Sequence, residues 1–398
     1  YFNSLENPET PSQSDLAVLA ATVGNPTIPA AWHDNGFALW HDALDKAKKV
    51  KAAWPFDWVN GMDYPHKDQR GNVTGKFTLN DPQAATTKLP HLTVGLAHPD
   101  YIGTGSDYAR RSGNGNLVTW EHDGNHYEFW TDGNKDGKFK ISNVRPGTYT
   151  LHAFADGVLG EFAQTNITVE AGKNLDLGKI KWKPVRYGKQ IWEIGYPDRT
   201  ADKFFKGDGS NYWLWGWPER YALLFPNDIT YTIGKSDYHK DWFFEQVPHA
   251  ENLSFVNPEA KDPANQRFGW VKAGTPGEDM WRIIGHGRAT TWTIKFKMGK
   301  AEHGQATLRV ALAGSDGPGG LEVGVNGKSA GSIHYISTNA LRYNTDKGVW
   351  REYTLNFDAA LLKKGDNEMQ LTVPAGELTS GVVYDYLRLE LNENYKPS

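Results

Sequence analysis

The sequence predicts an all-β protein, a small β-sandwich followed by a jelly-roll sandwich. Two patterns predict it: short runs in which apolar and polar residues alternate, and Gly-, Asn- and Asp-rich turns that separate them at regular intervals. Composition is the third observation, with 16 Trp, 18 Tyr and 17 Phe against 4 Met. Aromatic side chains suit half-buried strands, and they also suit surfaces on which sugars stack.

Residues 1–67 have no clean period. Residues 15–22 and 36–50 are helical or irregular, and His41 to Trp54 is Lys- and Ala-rich, the pattern of a surface helix whose Trp40 and Trp54 pack on something. From Arg70 to Lys183 the pattern turns to strands. Asn72 to Leu79 and His91 to Leu96 alternate, and Asp132 to Ile141 reads as two strands split by a Gly-rich turn. A Pro146-Gly147 turn then leads into a third strand. The run Asp132 to Gly137 also mimics the start of an EF-hand loop. Its twelfth position is Asn143 where a bidentate Glu is required, and no helices flank it, so the turn reading prevails.

After a linker at Lys183 to Lys189, six further strands are expected. They are Thr290 to Met298, Ala306 to Ala313, Leu321 to Val325, Trp350 to Phe357, Glu368 to Val373 and Val382 to Leu391. In the last of them Leu387, Leu389 and Leu391 alternate with Arg388 and Glu390, which predicts a half-buried terminal strand.

The balance of charge excludes some functions. The net charge is −4, from 43 basic and 47 acidic residues scattered along the chain, so no basic stripe tracks a nucleic-acid backbone. No apolar run is long enough to cross a bilayer. The chain has no cysteine, which removes disulfides, thiolate nucleophiles and Cys-ligated metals together. Three Asn-x-Ser/Thr triplets, at Asn72, Asn166 and Asn252, lean towards secretion.

Tyr212, Trp213, Trp215, Trp217 and Tyr221 form the best candidate for binding, because a pyranose presents an apolar C–H face that stacks on an aromatic ring. A hydrophobic core or a domain interface is the competing reading. Asp198-Arg199-Thr200 and Glu219-Arg220 suit buried ion pairs bracketing two domains, or a sugar contact. His66, His91, His98, His122, His126 and His286, and the group Asp237, His239 and Asp241, show no convergent ligand spacing and read as loop histidines.

Several stretches, in this order and spacing, resemble the rhamnogalacturonan lyases of polysaccharide lyase family 4. They are Gln69 to Gly75 with Asn143 to Tyr149, Ile191 to Ala201, Trp217 to Tyr221, Ser236 to Phe243 and Tyr384 to Leu389. The resemblance covers roughly residues 54 to 392. It implies a remnant of a catalytic β-sandwich at 1–67, a fibronectin-III-like domain at 68–183, and a carbohydrate-binding-module-like jelly roll at 184–398. It also implies a secreted, monomeric rhamnogalacturonan endolyase acting on pectic polysaccharide by β-elimination. No cofactor is implied beyond a structural calcium that jelly rolls of this type can hold, and no ligand set stands out for it.

The family's catalytic Lys and His belong to the N-terminal sandwich, and neither has a matching position here, so the catalytic residues stay unassigned. Tyr1-Phe2-Asn3-Ser4 resembles the aromatic strand just before that His, which makes Tyr1 a substrate-binding candidate beside Trp213, Trp215, Trp217 and Tyr221. A non-catalytic carbohydrate-binding protein is the alternative reading.

Overall fold

The computed structural model describes residues 30–61, 63–103, 117–122, 126–207, 221–222, 224–249, 286–317, 319–337, 349–377 and 380–395. The chain divides into two units, residues 1–70 and 71–398. In the first, helix α1 (Ala30–Ala53) includes the expected surface helix. From His41 onward it is largely exposed, and a Lys46–Asp42 pair at 2.6 Å lies on that part. Trp54 does pack: the Arg70 guanidinium sits 4.8 Å from its ring and 5.2 Å from that of Tyr64. Among the described residues of this unit there is no strand.

The second unit holds two sandwiches. The first comprises β1 (Gly71–Leu79), β2 (Thr93–Ala97), β3 (Tyr101–Ile102), β4 (Leu117–Val118), β5 (Phe129–Asp132), β6 (Lys138–Val144), β7 (Gly147–Phe154), β8 (Phe162–Val169) and β9 (Asn174–Trp182). A three-stranded sheet in the order β6-β1-β9 faces a four-stranded sheet in the order β5-β2-β7-β8. β1 runs antiparallel to β6 and parallel to β9. Alternation sends Val73 and Phe77 inward, where Phe77 meets Phe162, Phe139 and Trp182 at centroid separations of 4.9, 5.5 and 5.8 Å. Burying a ring of this size contributes about 1.5–3 kcal/mol.

The EF-hand-like run is a tight turn between β5 and β6. The Asn134 side-chain oxygen accepts from the Asp136 and Lys138 amides, both at 3.0 Å. Gly137 takes φ 89, a conformation that favours a residue without Cβ.

The second sandwich begins at β10 (Lys189–Gly195). It continues through β11 (Thr230–Thr232), the short helix α2 (Tyr238–Asp241), β12 (Glu245–Gln246), β13 (His286–Gly287), β14 (Thr290–Met298), β15 (Gln305–Asp316) and β16 (Gly320–Val325). It ends with β17 (Lys328–His334), β18 (Arg351–Asp358), β19 (Gly365–Val373), β20 (Gly376–Glu377) and β21 (Gly381–Asn392). One sheet runs β10-β21-β15-β18, with β12 also on β21, and the other runs β11-β14-β19-β16-β17. The six expected strands appear as β14, β15, β16, β18, β19 and β21, each within a few residues of its predicted bounds. Trp242, Trp292 and Tyr384 pack together at the core, the two indoles edge to face at 4.9 Å.

One expectation needs correction. β21 is buried on both faces, because Leu387, Leu389 and Leu391 enter the core on one and ion pairs cover the other. Glu390 is 0% exposed and Arg388 5%. Arg388 Nε donates to Glu193 at 2.7 Å, and the Glu390 carboxylate lies 3.4 Å from Arg309 and 3.7 Å from Arg186. Polar alternation here marks a charge network rather than contact with water.

Candidate functional site

Tyr1, Trp213, Trp215 and Trp217 lie outside the described residues, as do Tyr212, Glu219 and Arg220. Tyr221 is described, and it corrects the stacking expectation for that position: it is 0% exposed, so no face is available to a sugar. Its ring stacks on Phe225 at 5.7 Å and neighbours Trp292 and Phe243. Its hydroxyl accepts from Trp292 Nε1 at 2.6 Å and donates to Asp228 at 3.2 Å. Burial, with the Asp228 carboxylate, pushes the phenol up. Asp228 also receives Arg288 at 3.0 and 3.2 Å and the Thr291 amide at 2.9 Å. Beside it, His249 and Arg288 exchange backbone hydrogen bonds of 2.8 and 2.9 Å. We expect Tyr221→Phe to lower stability by about 1–3 kcal/mol by leaving the Trp292 indole N–H without its acceptor. A urea-unfolding midpoint unchanged from wild type would refute that role.

The Asp198-Arg199-Thr200 stretch, by contrast, is the bracket between sandwiches that ion-pair chemistry suggests. Arg199 takes φ 67 in the turn after β10, a backbone state that costs an L-residue roughly 1–2 kcal/mol. Its guanidinium lies between the rings of Phe154, 4.2 Å away in the first sandwich, and Trp350, 4.4 Å away in the second. It donates to Glu161 at 2.8 Å, and the other Glu161 oxygen meets His152 Nδ1 at 2.5 Å. Burial raises the Glu161 carboxyl, but His152 and Arg199 outweigh it and hold the group below its usual range.

On the other side of the turn Lys203, its side chain 3% exposed, sits 2.6 Å from Asp198 and 2.8 Å from Asp385. Asp385 is fully buried. It accepts further from Trp350 Nε1 at 2.8 Å and the Asp198 amide at 3.2 Å. Burial pushes its carboxyl up to about 6, against the pull of Lys203. Further contacts join the two sandwiches. Gly157 donates to Pro197 at 2.7 Å, Arg351 meets Glu121 at 2.6 Å, and Arg186 forks onto Asp81 at 2.6 and 3.1 Å.

A small cleft, with a cavity volume of about 10 Å³, opens among Phe154, Asp156, Asp198, Arg199, Trp350 and Asp385. Ligand pockets measure about 300–1,000 Å³, and the charges here already satisfy one another. The bracket therefore fixes the domains rather than holding a sugar.

His98 and His126 stack at 3.8 Å, His91 pairs with Asp156 at 2.6 Å, and His239 Nδ1 lies 2.7 Å from the Lys203 carbonyl. The Asp237 side chain caps α2 by accepting from the His239 amide at 3.0 Å. The side chains of His122 and His286 lie outside the described residues. Among the described residues no group of three His, Asp or Glu side chains is placed to hold a metal ion.

Sequence reasoning missed Lys203, Trp350, Glu161 and His152 as partners of Arg199 and Asp385. They come from distant strands and loops that no local pattern joins.

Two family models match this chain: polysaccharide lyase family 4, domain III, over residues 190–389, and polysaccharide lyase family 4, domain II, over residues 103–177. A rhamnogalacturonate lyase of Dickeya dadantii is 27% identical over 349 residues, covering 87% of this chain and 46% of that protein. A probable rhamnogalacturonate lyase B of Aspergillus niger is 27% identical over 314 residues, covering 73% of this chain and 38% of its own. Rhamnogalacturonate lyase B of Emericella nidulans is 25% identical over 402 residues, with 90% and 54% covered. The chain spans about half the length of the curated relatives it matches. With the domain III model alone covering half of its residues, and domain II preceding it in order, the chain belongs to polysaccharide lyase family 4.

Proposed function

We propose that the protein is a secreted rhamnogalacturonan endolyase, to which the two sandwiches contribute support and polysaccharide binding. The observation that carries this reading is the succession of domains II and III of a single lyase family along one chain, with rhamnogalacturonate lyases as relatives over most of it. In the reaction a base removes the C5 proton of galacturonate. The electron pair left behind forms the C4–C5 double bond, the C4–O bond to rhamnose breaks, and the departing oxygen takes up a proton. The neighbouring carboxylate resists the developing negative charge, so cationic groups must surround it.

Lys203 does not suit that work, since it is buried between two carboxylates. Residues 1–67 continue, on this reading, from the catalytic sandwich that bears the family's Lys and His. A second reading, a non-catalytic pectin-binding chain, is favoured by the match of residues 190–389 to a carbohydrate-binding-module-like domain.

Release of unsaturated uronate, followed by ultraviolet absorbance, decides between them, with de-acetylated rhamnogalacturonan I as substrate and polygalacturonate as control. Absorbance rising on the first substrate alone is the expected result for protein that also carries the catalytic sandwich. No rise on either, from folded protein that is still retarded in pectic gels, would leave the binding role.

A further inference from the structure

Five lysines that are scattered in the sequence share one surface of the first sandwich. β1 is the central strand of the sheet β6-β1-β9, and with Val73 and Phe77 in the core its outward residues are Asn72, Thr74, Lys76 and Thr78. By the same alternation β6 turns Lys138 and Lys140 outward around buried Phe139, and β9 turns Lys179 and Lys181 outward around buried Ile180. The register then aligns them. Lys76 stands opposite Lys138 on one side and Lys179 on the other, while Lys140 faces Thr74 and Lys181 faces Thr78. Strands about 4.8 Å apart, and about 6.8 Å between alternate residues, place the five backbone positions within an area of roughly 10 by 14 Å. The dispersed basic residues of the sequence thus become a cationic face on folding.

Few acidic groups oppose it. Asp176 lies on the same face, opposite Thr74, and accepts from Thr74 Oγ1 at 3.3 Å and the Gly178 amide at 3.0 Å. Asp136, at the β5–β6 turn, is held by Lys88 at 2.5 Å; that contact keeps its carboxyl low, with smaller contributions from Lys135 and Lys76. Among the described residues none of the five lysines forms an ion pair.

Like charges directly opposite across strands destabilise a sheet. Lysines on edge strands do protect a sheet from pairing with other chains, which accounts for those on β6 and β9. It does not account for Lys76, which stands on the central strand between two of them. An extended anion laid across the sheet does account for it.

The kind of anion follows from the neighbours. The outward residues of these strands include no arginine fork and no aromatic ring, the groups that grip phosphates and stack bases. They interleave ammonium groups with the hydroxyls of Thr74, Thr78 and Ser142. That mixture matches a polymer in which carboxylates recur among hydroxyls. We propose that the outer face of the sheet β6-β1-β9 is a docking surface for uronate-bearing acidic polysaccharide, engaged through its carboxylates. The choice of polymer rests on the lyase reading above.

The test is retardation of the whole chain in native gels containing polygalacturonate, comparing wild type with the triple variant Lys76→Gln, Lys138→Gln, Lys179→Gln. The triple variant should bind at least about tenfold more weakly, and the corresponding triple arginine variant should retain wild-type retardation. Raising NaCl from about 0.1 M to about 1 M shortens the screening length from about 10 Å to about 3 Å, and should abolish the retardation.

Equal retardation of wild type and the glutamine variant overturns the proposal, as does equal binding to carboxyl-reduced polymer or to DNA. A glutamine variant that aggregates while binding unchanged would assign the lysines to edge protection instead. The same preparations are assayed for unsaturated uronate. Lyase activity without lysine-dependent binding refutes only the docking surface, and lysine-dependent binding without lyase activity refutes only the functional reading.

Discussion

Replacing Lys203 with Met is expected to lower the unfolding free energy at pH 7 by about 3–5 kcal/mol, the cost of leaving a buried charge without its partner. Lys203 lies 2.6 Å from Asp198 and 2.8 Å from Asp385, and removing it leaves two carboxylates facing each other in a buried site. Met keeps the apolar stem and removes only the charge. The effect carries a pH signature.

The Asp385 carboxyl stands at about 6 in the folded protein, above an unfolded value near 3.9. A carboxyl raised in this direction adds its stability fully below about pH 4 and loses it as the pH climbs through 6. Without Lys203 the shift upward grows, so the deficit of the variant should be greatest at pH 7 and shrink towards pH 4. Adding Asp385→Asn to Lys203→Met should restore much of the loss at pH 7. Urea unfolding of the three proteins at both pH values measures this, and equal midpoints for wild type and Lys203→Met at pH 7 would contradict it.

Trp292→Ala should cost a similar amount, about 3–5 kcal/mol, by opening a cavity that β-strands cannot close. The indole is 0% exposed, meets Trp242 at 4.9 Å and Tyr384 at 5.6 Å, and donates to the Tyr221 hydroxyl. Truncation therefore removes packing from three rings at once and one hydrogen bond. Trp292→Phe separates the two effects: it refills most of the volume and should lose only about 1–3 kcal/mol, for the donor left out. Thermal melts monitored by near-ultraviolet circular dichroism report both. An alanine variant melting within a degree or two of wild type would mean that this cluster does not hold the second sandwich together.

The fold was legible where burial on one face left a period of two. The pattern at Thr290 to Met298 became β14 with identical bounds, and Asn72 to Leu79 became β1. The failure at Arg388 and Glu390 is instructive. A charged residue between leucines looks solvated from sequence, yet in β21 its partners, Glu193, Arg186 and Arg309, arrive from elsewhere in the chain. At Tyr221 the core reading rather than the stacking one held, and the sequence left the two open because nothing local shows that the ring packs on Phe225. The lysine face, however, was present in the text as Lys138-Phe139-Lys140-Ile141 and Lys179-Ile180-Lys181-Trp182. Only the register that sets Lys76 between them required the structure.

The strand order also bears on how the chain is made. Among the described residues of the second sandwich, β10 and β15 are joined only through β21, the last of that sandwich's strands in chain order. Until residue 392 has emerged, that sheet is three separate pieces with open edges, each able to pair with a stranger. The first sandwich repeats the device, since β9 completes its sheet by lying beside β1, the first strand of that sandwich in chain order. Each sandwich thus waits for its own final strand, and the first can close while the second is still being synthesised. A nascent chain cut short inside β21 would lose the seam of the whole second sandwich rather than a dispensable tail.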